Sequence, residues 1–378
     1  MTIYLDHAAT TPIDTDVMDA MRPYFDVYYG NANSQHTAGR EAEMAVDRAR
    51  EQIANILGAG PKEIYFTSGG TESDNWAVKG AAFANREKGR HIVATTIEHH
   101  AVLNALKQLE KVGYEVTYVG VDEQGLVNAD DFASAIRADT IFATCMYANN
   151  EVGTVQPVAR LAAICHERGV LFHTDAVQAV GALPLDVRTL GVDMLSLSAH
   201  KFYAPKGVGL LYVKSGVHIE PLLAGGAQER GLRGGTTNVP AVVGMACGLA
   251  KATANASKDS AYIKGLRDEF VRRVTTRIEG VTLNGDRDNR LPANANLRFA
   301  GVRGESVLVG LDIENIYVGM GSACTAGTTE PSHVLLAMGL SETEAKESVR
   351  FTFGKENTAE DVARTVDELA QIVSRLRR

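Results

Sequence analysis

Short apolar runs alternate with amphipathic segments along the first part of the chain. Apolar residues recur at helical spacing over residues 40–57, which predicts a helix with one buried face. Mainly apolar runs predict strands at 64–67, 92–96, 116–119, 141–147, 170–174, 194–198 and 209–213. Helical patterns lie between most of these runs, so we expect a mainly parallel sheet with helices on both faces. Ligands of such sheets bind beyond the carboxyl ends of the strands.

The pattern changes after about Pro240. A long helical segment extends to Arg277, and a final helix begins at the capping sequence that starts with Thr358. Between them, elements of a smaller α+β domain are predicted at 278–283, 295–299, 307–311 and 349–353. Near the start of the chain, residues 16–25 predict one further helix.

The composition is that of a soluble globular protein, because 45% of the 378 residues are hydrophobic and 22% are charged. The formal net charge of −8 argues against a nucleic-acid-binding surface. The longest uncharged, mainly apolar run, residues 239–250, is too short to span a membrane, and the first residues lack a signal-peptide pattern. We therefore expect a cytoplasmic protein without membrane or direct nucleic-acid contacts.

The four cysteines form no Cys-x-x-Cys pair, which fits neither a disulfide framework nor a zinc site. Cys145, Cys165 and Cys247 lie in apolar or helical surroundings and are predicted to be core residues. Cys324 instead lies in a glycine-rich, polar segment, where a reactive thiol is plausible. An incidental surface cysteine is the alternative.

Two motifs at predicted strand ends suggest an anionic ligand with a ring. The sequence Gly69-Gly70-Thr71 stands between a strand and a helix, where backbone N–H groups can hold an anion. Taken alone, that motif is better explained as a simple helix cap. Asp175 directly follows a buried strand and needs a cationic partner there, such as a protonated pyridine nitrogen. Capping of the next helix is the alternative for Asp175.

Three more strand ends carry polar side chains. His99 offers an imidazole that can stack on a planar ring, and Asn150 offers an amide. Lys201 follows strand 194–198, where partial desolvation would let it form a Schiff base, although most lysines after strands are solvated. With Asp175, this set favours covalent aldehyde chemistry over nucleotide binding, and no Gly-x-Gly-x-x-Gly sequence follows the first strand.

The complete motif set resembles that of the cysteine desulfurases, the NifS/IscS-like members of the class-V aminotransferase group. The matching sequences are Asp6-His7-Ala8-Ala9-Thr10-Thr11, Thr67-Ser68-Gly69-Gly70-Thr71-Glu72-Ser73, Glu98-His99, Asn149-Asn150-Glu151, His173-Thr174-Asp175-Ala176-Val177-Gln178, Ser198-Ala199-His200-Lys201 and Gly321-Ser322-Ala323-Cys324. The resemblance implies the α/β architecture of fold type I, with a mainly parallel seven-stranded sheet in a large domain and a smaller α+β domain. We expect the large domain over residues 12–245, and a small domain made of residues 1–11 and 246–378 that carries the Cys324 loop.

The resemblance also implies the cofactor pyridoxal 5′-phosphate. Lys201 would bind its aldehyde, Asp175 would pair with the ring nitrogen, and His99 would stack on the ring. Thr236 would reach the phosphate of the neighbouring subunit's cofactor, which implies a homodimer. The residues expected to bind the cofactor are Gly70, Thr71, His99, Asn150, Asp175, Gln178, Ser198, His200, Lys201 and Thr236.

The implied reaction converts L-cysteine to L-alanine, with Lys201, Cys324 and His99 as catalytic residues. Asn150 and Arg350 would bind the substrate, with Arg350 on its carboxylate. The sulfur would be captured as a persulfide on Cys324 and passed to an acceptor protein, either an iron–sulfur scaffold or a tRNA thiolation enzyme. The alternatives are a selenocysteine lyase, another fold-type I enzyme such as an aminotransferase, and a non-catalytic protein that keeps the fold.

Overall fold

The computed structural model describes residues 2–321 and 330–378, and within these ranges the main sheet has seven strands. A short strand, β1 (Ile3–Leu5), precedes this sheet in the chain. The strands of the sheet are β2 (Ile64–Thr67), β3 (His91–Thr95), β4 (Glu115–Val119), β5 (Thr140–Thr144), β6 (Leu171–Asp175), β7 (Met194–Ser198) and β8 (Gly209–Val213). Their spatial order is β2-β8-β7-β6-β5-β3-β4. Because β8 is antiparallel to both neighbours, the other six strands run in one direction, and the predicted mainly parallel sheet is confirmed.

Helices cover both faces of the sheet. In chain order they are α1 (Thr15–Met21), α2 (Pro23–Asp26), α3 (Thr37–Leu57), α4 (Gly70–Ala84), α5 (His100–Glu110), α6 (Ala129–Ala135), α7 (Val158–His166), α8 (Val187–Leu190) and α9 (Val239–Arg277). One hydrophobic core joins α4 and α5 to the sheet through side chains such as Trp76 and Leu106. Another core joins α3, α7 and the first part of α9 to the sheet, with Ile53, Leu161 and Met245 among its members.

Most of the rest of the chain folds around a separate hydrophobic core. The remaining elements are β9 (Val281–Asn284), β10 (Asn294–Phe299), α10 (Gly304–Ile313), β11 (Ile316–Val318), α11 (His333–Ala337), α12 (Glu342–Lys346), β12 (Ser348–Thr352) and α13 (Ala359–Leu376). Of these, α11 and α12 do not belong to that core but pack in a smaller cluster with Ile97, Met146 and Val152. β9, β10 and β12 form an antiparallel sheet, and β11 pairs in parallel with β1. Along α9, Leu249 belongs to the core of the large sheet and Phe270 to this second core. The helix therefore connects the two cores, and we keep the division into domains of 12–245 and of 1–11 with 246–378 as a proposal.

Three predictions from the sequence need correction. The helix predicted over residues 16–25 is two helices, because α2 starts at Pro23, which has no N–H to continue α1. The strand predicted to reach Tyr147 ends at Thr144, where the chain turns toward Asn149. Cys247 is only half-buried, whereas Cys145 and Cys165 are buried as predicted.

A membrane-spanning segment was not expected from the sequence. Among the residues that the structure describes, no helix combines the length and the apolar character needed to cross a bilayer.

Candidate active site

One cavity is lined by residues that follow five parallel strands. The strands β2, β3, β5, β6 and β7 run in the same direction, so their carboxyl ends lie at one edge of the sheet. The cavity there has a volume of about 180 Å³. The predicted residues that line it are Gly70, Thr71, His99, Asn150, Asp175, Gln178, Ser198, His200, Lys201 and Arg350.

Lys201 is held by the N-terminal segment of the chain. It lies at the end of a single 3-10 turn after β7, and its Nζ donates hydrogen bonds to the carbonyl oxygens of Ala8 at 2.5 Å and Ala9 at 2.8 Å. The amide of Gln178 donates to the same Ala8 oxygen at 3.1 Å. The primary amine therefore has a fixed position at the edge of the cavity, which a nucleophile needs.

Asp175 ends β6 and is 5% exposed. Burial raises the pKa of its carboxyl, while the nearby His99, the Val177 N–H and Lys201 act in the opposite direction. That N–H donates to one Asp175 oxygen at 2.9 Å. His99 caps α5, and its Nδ1 accepts the N–H of Ala101 at 3.1 Å, which leaves Nε2 as the protonated nitrogen of the neutral ring. A buried carboxylate and an imidazole thus lie next to each other in the cavity.

The backbone groups predicted to hold an anion, at residues 69–71, lie at the start of α4. Gly69 caps the helix without a side-chain hydrogen bond, and its φ of 153° suits glycine. A Cβ at Gly70 would lie 2.9 Å from a methyl carbon of Val177, so the close approach requires glycine there too. Burial, together with nearby Lys201, lowers the pKa of His200 to about 4, so its imidazole is neutral at pH 7. Neutral donors around a helix N-terminus are suited to a phosphate.

Arg350, on β12, also lines this cavity. It is 1% exposed, its Nη2 pairs with Asp6 at 2.8 Å, and its Nη1 donates to the carbonyl of Asn150 at 3.2 Å. Its Nε has no hydrogen-bond partner among the described residues. A Cβ at Gly319 would lie 2.6 Å from Asp6 Oδ1 and 2.7 Å from Arg350 Nη2, so a larger residue there would displace this ion pair. The unpartnered N–H makes the guanidinium a candidate for binding a carboxylate.

We expect Arg350→Lys to raise the KM for L-cysteine about 10- to 100-fold, because a lysine keeps the positive charge but cannot make the same pair of charged hydrogen bonds. Steady-state alanine formation gives KM and kcat separately. Retention of the cofactor should match that of the wild type. An unchanged KM would show that the substrate carboxylate binds elsewhere.

Glu98, next to the cavity residue His99 in the chain, is a fully buried acid. Its Oε1 accepts the Thr95 hydroxyl at 2.5 Å and the Met146 N–H at 2.8 Å, and its Oε2 has no partner among the described residues. Burial raises the pKa of Glu98 from its usual 4.5 to about 7. Since the folded-state pKa exceeds the unfolded one, the stabilising effect of its proton is complete below pH 4.5 and is lost as the pH rises through 7.

We expect Glu98→Gln to remove this pH dependence, because glutamine stays neutral. The free energy of unfolding of the variant, relative to the wild type, should rise by about 3 kcal/mol between pH 4.5 and pH 8. Denaturant unfolding at a series of pH values measures it. The exposed Glu87→Gln is the matched control, and parallel curves for wild type and Glu98→Gln would contradict the prediction.

Two predicted residues lie elsewhere. Thr236 is exposed, in the segment before α9, and does not line the cavity of its own chain. Cys324 lies outside the described residues. The described ends of its segment both lie at Glu151: a Cβ at Gly321 would be 3.0 Å from Glu151 Oε2, and the Ser332 hydroxyl donates to the same oxygen at 2.5 Å.

Sequence reasoning missed two acids of the site. Asp74 lines the cavity and is 1% exposed, and Asp6 holds Arg350. A signal for Asp74 was present, because it lies four residues after Gly70 and shares a helix face with it. No signal in the sequence links Asp6 with a residue 344 positions later.

The described residues fit the pyridoxal phosphate that the resemblance implies. The backbone groups at Gly70 suit its phosphate, and Asp175 suits its ring nitrogen. Asp74 Oδ1 is buried without a hydrogen-bond partner among the described residues, which shows that the polar end of the cavity is suited to a further polar group. Lys201 supplies the primary amine.

Comparisons with known proteins agree with this site. Residues 3–365 match the family model described as aminotransferase class-V. The chain is 50% identical to "Cysteine desulfurase IscS" of Dictyoglomus turgidum, covering 99% of this chain and 95% of that protein. It is 47% identical to the protein of the same name from Methanosarcina thermophila, covering 99% and 93%. A solved structure titled "NIFS-LIKE PROTEIN" superposes with a TM-score of 0.94 at 38% identity and covers 100% of both chains. The chain therefore belongs to the class-V aminotransferase family, among its NifS/IscS-like cysteine desulfurases.

Proposed function

We propose that this protein is a pyridoxal-phosphate-dependent cysteine desulfurase that converts L-cysteine to L-alanine and holds the sulfur on Cys324. The main support for this proposal is that the Lys201 amine, the Asp175 carboxylate and the Arg350 guanidinium line the same cavity. Similarity at 44–50% identity to proteins named cysteine desulfurase favours this activity over a selenocysteine lyase or an aminotransferase.

Each side chain of the cavity has a distinct part in this function. Bound pyridoxal phosphate supplies an electrophilic aldehyde and a ring that accepts electrons. Lys201 would hold the aldehyde through its Nζ, and the same nitrogen, when free, would accept the Cα proton of the substrate. Asp175 would hold the ring nitrogen in its protonated form, and His99 would lie against the ring. Arg350 orients the substrate through its carboxylate.

Cys324 completes the reaction as a nucleophile. Its thiolate would attack the substrate sulfur, so that a sulfur–sulfur bond forms as the bond from that sulfur to Cβ breaks. The carbon fragment would keep the bonding electrons, take up one proton at Cβ, and regain at Cα the proton that Lys201 removed, which gives alanine. The proposal is supported by the ends of its segment, which lie at Glu151, directly after the cavity residue Asn150. The persulfide is then available to an acceptor, for which we propose an iron–sulfur scaffold or a tRNA thiolation enzyme in the cytoplasm.

We also propose a homodimer. Large apolar side chains are exposed in one short segment, with Phe25 at 62%, Val27 at 63% and Tyr29 at 77% exposure. Exposed apolar side chains in such a cluster are suited to an interface. The exposed Thr236 can then reach the cofactor phosphate of the other subunit. Sedimentation equilibrium should give twice the chain mass, and a monomer at micromolar concentration would oppose this proposal.

The experiment for the proposed function is alanine release from L-cysteine by the purified, cofactor-loaded protein. A thiol reductant is present to discharge the persulfide. We expect alanine and sulfide in equal amounts over many turnovers, and no alanine from L-serine, which has no sulfur to transfer. A yellow, cofactor-loaded protein that releases no alanine from L-cysteine would contradict the proposal.

A further inference from the structure

A second carboxylic acid lies beside Asp175. Asp74, in the second turn of α4, is buried and lines the same cavity. One carboxyl oxygen of Asp74, one of Asp175 and one ring nitrogen of His99 all lie within 4.8 Å of one another. Asp74 Oδ1 has no hydrogen-bond partner among the described residues. The acid is therefore placed at the site, and although the Ser196 side chain hydrogen-bonds its carboxyl, Oδ1 is left without a partner among the described residues.

Two buried carboxyls at this separation cannot both carry a negative charge without a large cost, so one of them keeps a proton. Asp175 has the better support for a charge, from the Val177 N–H at 2.9 Å and from nearby Lys201 and His99. For Asp74, burial and the charge of Asp175 raise the pKa well above its usual range, and the opposing effect of the hydrogen bond from the Ser196 side chain is smaller.

The other titratable groups around Asp74 do not compensate its charge. His173 Nε2 is 3.8 Å from Asp74, but burial lowers the pKa of His173 to about 3, so the ring is neutral. Its two nitrogens bond the hydroxyls of Thr144 and Ser196, each at 2.9 Å. Glu98, the remaining acid, adds a further negative influence when it ionises.

We propose that Asp74 is a positioning residue that stays protonated and thereby keeps the negative charge of the pair on Asp175, next to the cofactor's ring nitrogen. The proposal rests on the proposed cofactor site. A neutral, polar neighbour stabilises the Asp175 carboxylate, whereas an apolar neighbour would favour its protonated form.

The test uses two measurements. The affinity of the apo-protein for pyridoxal phosphate is measured by fluorescence titration. The midpoint pH is the pH at which the absorbance of the bound cofactor changes. Asp74→Asn, which imitates the protonated acid, should keep both the affinity, within about threefold, and the midpoint pH. Asp74→Ala should weaken binding about tenfold and shift the midpoint. Asp175→Asn should weaken binding at least about 100-fold, because it removes the charge that pairs with the ring.

Circular dichroism of each apo-protein verifies that the variants fold. If Asp74→Asn lost affinity as severely as Asp175→Asn, the negative charge would reside on Asp74 and the proposal would be wrong. It would also be wrong if Asp74→Ala matched the wild type in both measurements. Alanine formation is not a readout here, so a wild-type protein that binds the cofactor but does not desulfurate cysteine would contradict the proposed function alone.

Discussion

Lys201→Arg should lower alanine formation from L-cysteine at least about 1,000-fold. Arginine keeps the positive charge near the carbonyls of Ala8 and Ala9, to which Lys201 donates. A guanidinium stays protonated at neutral pH, however, and so can neither react with an aldehyde nor accept the Cα proton. Initial rates of alanine release measure the loss, and absorbance spectra show whether the cofactor is bound covalently.

The matched control is Lys214→Arg, an exposed lysine at the end of β8 that pairs with Asp193. It should keep the wild-type rate. If Lys201→Arg retained covalently bound cofactor and normal turnover, a different amine would perform the chemistry, and the assignment of Lys201 would have to be abandoned.

The position of the site could be predicted because strand direction and strand ends are local properties of the sequence. Gly70, His99 and Asp175 each follow an apolar run, and parallel strands bring their carboxyl ends to one edge. The structure places all three around one cavity. The prediction of their shared location therefore depended only on the strand pattern.

Asp74 does not follow an apolar run, so apart from its spacing from Gly70 nothing in the sequence distinguishes it, and its importance comes from burial. On α4 it lies among Trp76, Ala77 and Val78, all of which are buried, so the helix has little exposed surface. The hydrophobic periodicity that marks a core-facing stripe is weak in such a helix. A polar residue there looks in the sequence like one on a solvent-exposed face.

The contacts that hold the Arg350 side chain could not be predicted from the sequence either. Its partners Asp6 and Asn150 lie just after β1 and in the loop after β5, 344 and 200 positions away in the chain. The spacing of motifs along the chain carries no information on such contacts. A resemblance can indicate that Arg350 binds a carboxylate, but the structure is needed to identify which groups hold it in place.

We expect Cys324→Ser to abolish sustained sulfide and persulfide formation while cofactor binding stays at the wild-type level. A serine hydroxyl is about as large as a thiol but is not ionised at neutral pH and forms no stable bond to sulfur. Lys201 and Asp175 are unaffected, so the cofactor absorbance should still change on addition of L-cysteine. Persulfide is measured by alkylation and mass spectrometry of the protein after one turnover.

The matched control for this variant is Cys247→Ser, because Cys247 is the one cysteine of the described residues that is not fully buried. It lies on α9, with its sulfur 4.0 Å from the carbonyl of Asp16, and lines neither the cavity nor its edge. The Cys247→Ser variant should form persulfide at the wild-type rate.

Persulfide on the Cys324→Ser protein would show that another cysteine receives the sulfur. Cys324→Ser could also form alanine at an undiminished rate without any persulfide on the protein. The sulfur would then leave the substrate without a protein thiol, as selenium leaves in a selenocysteine lyase. That mechanism would replace the one proposed here.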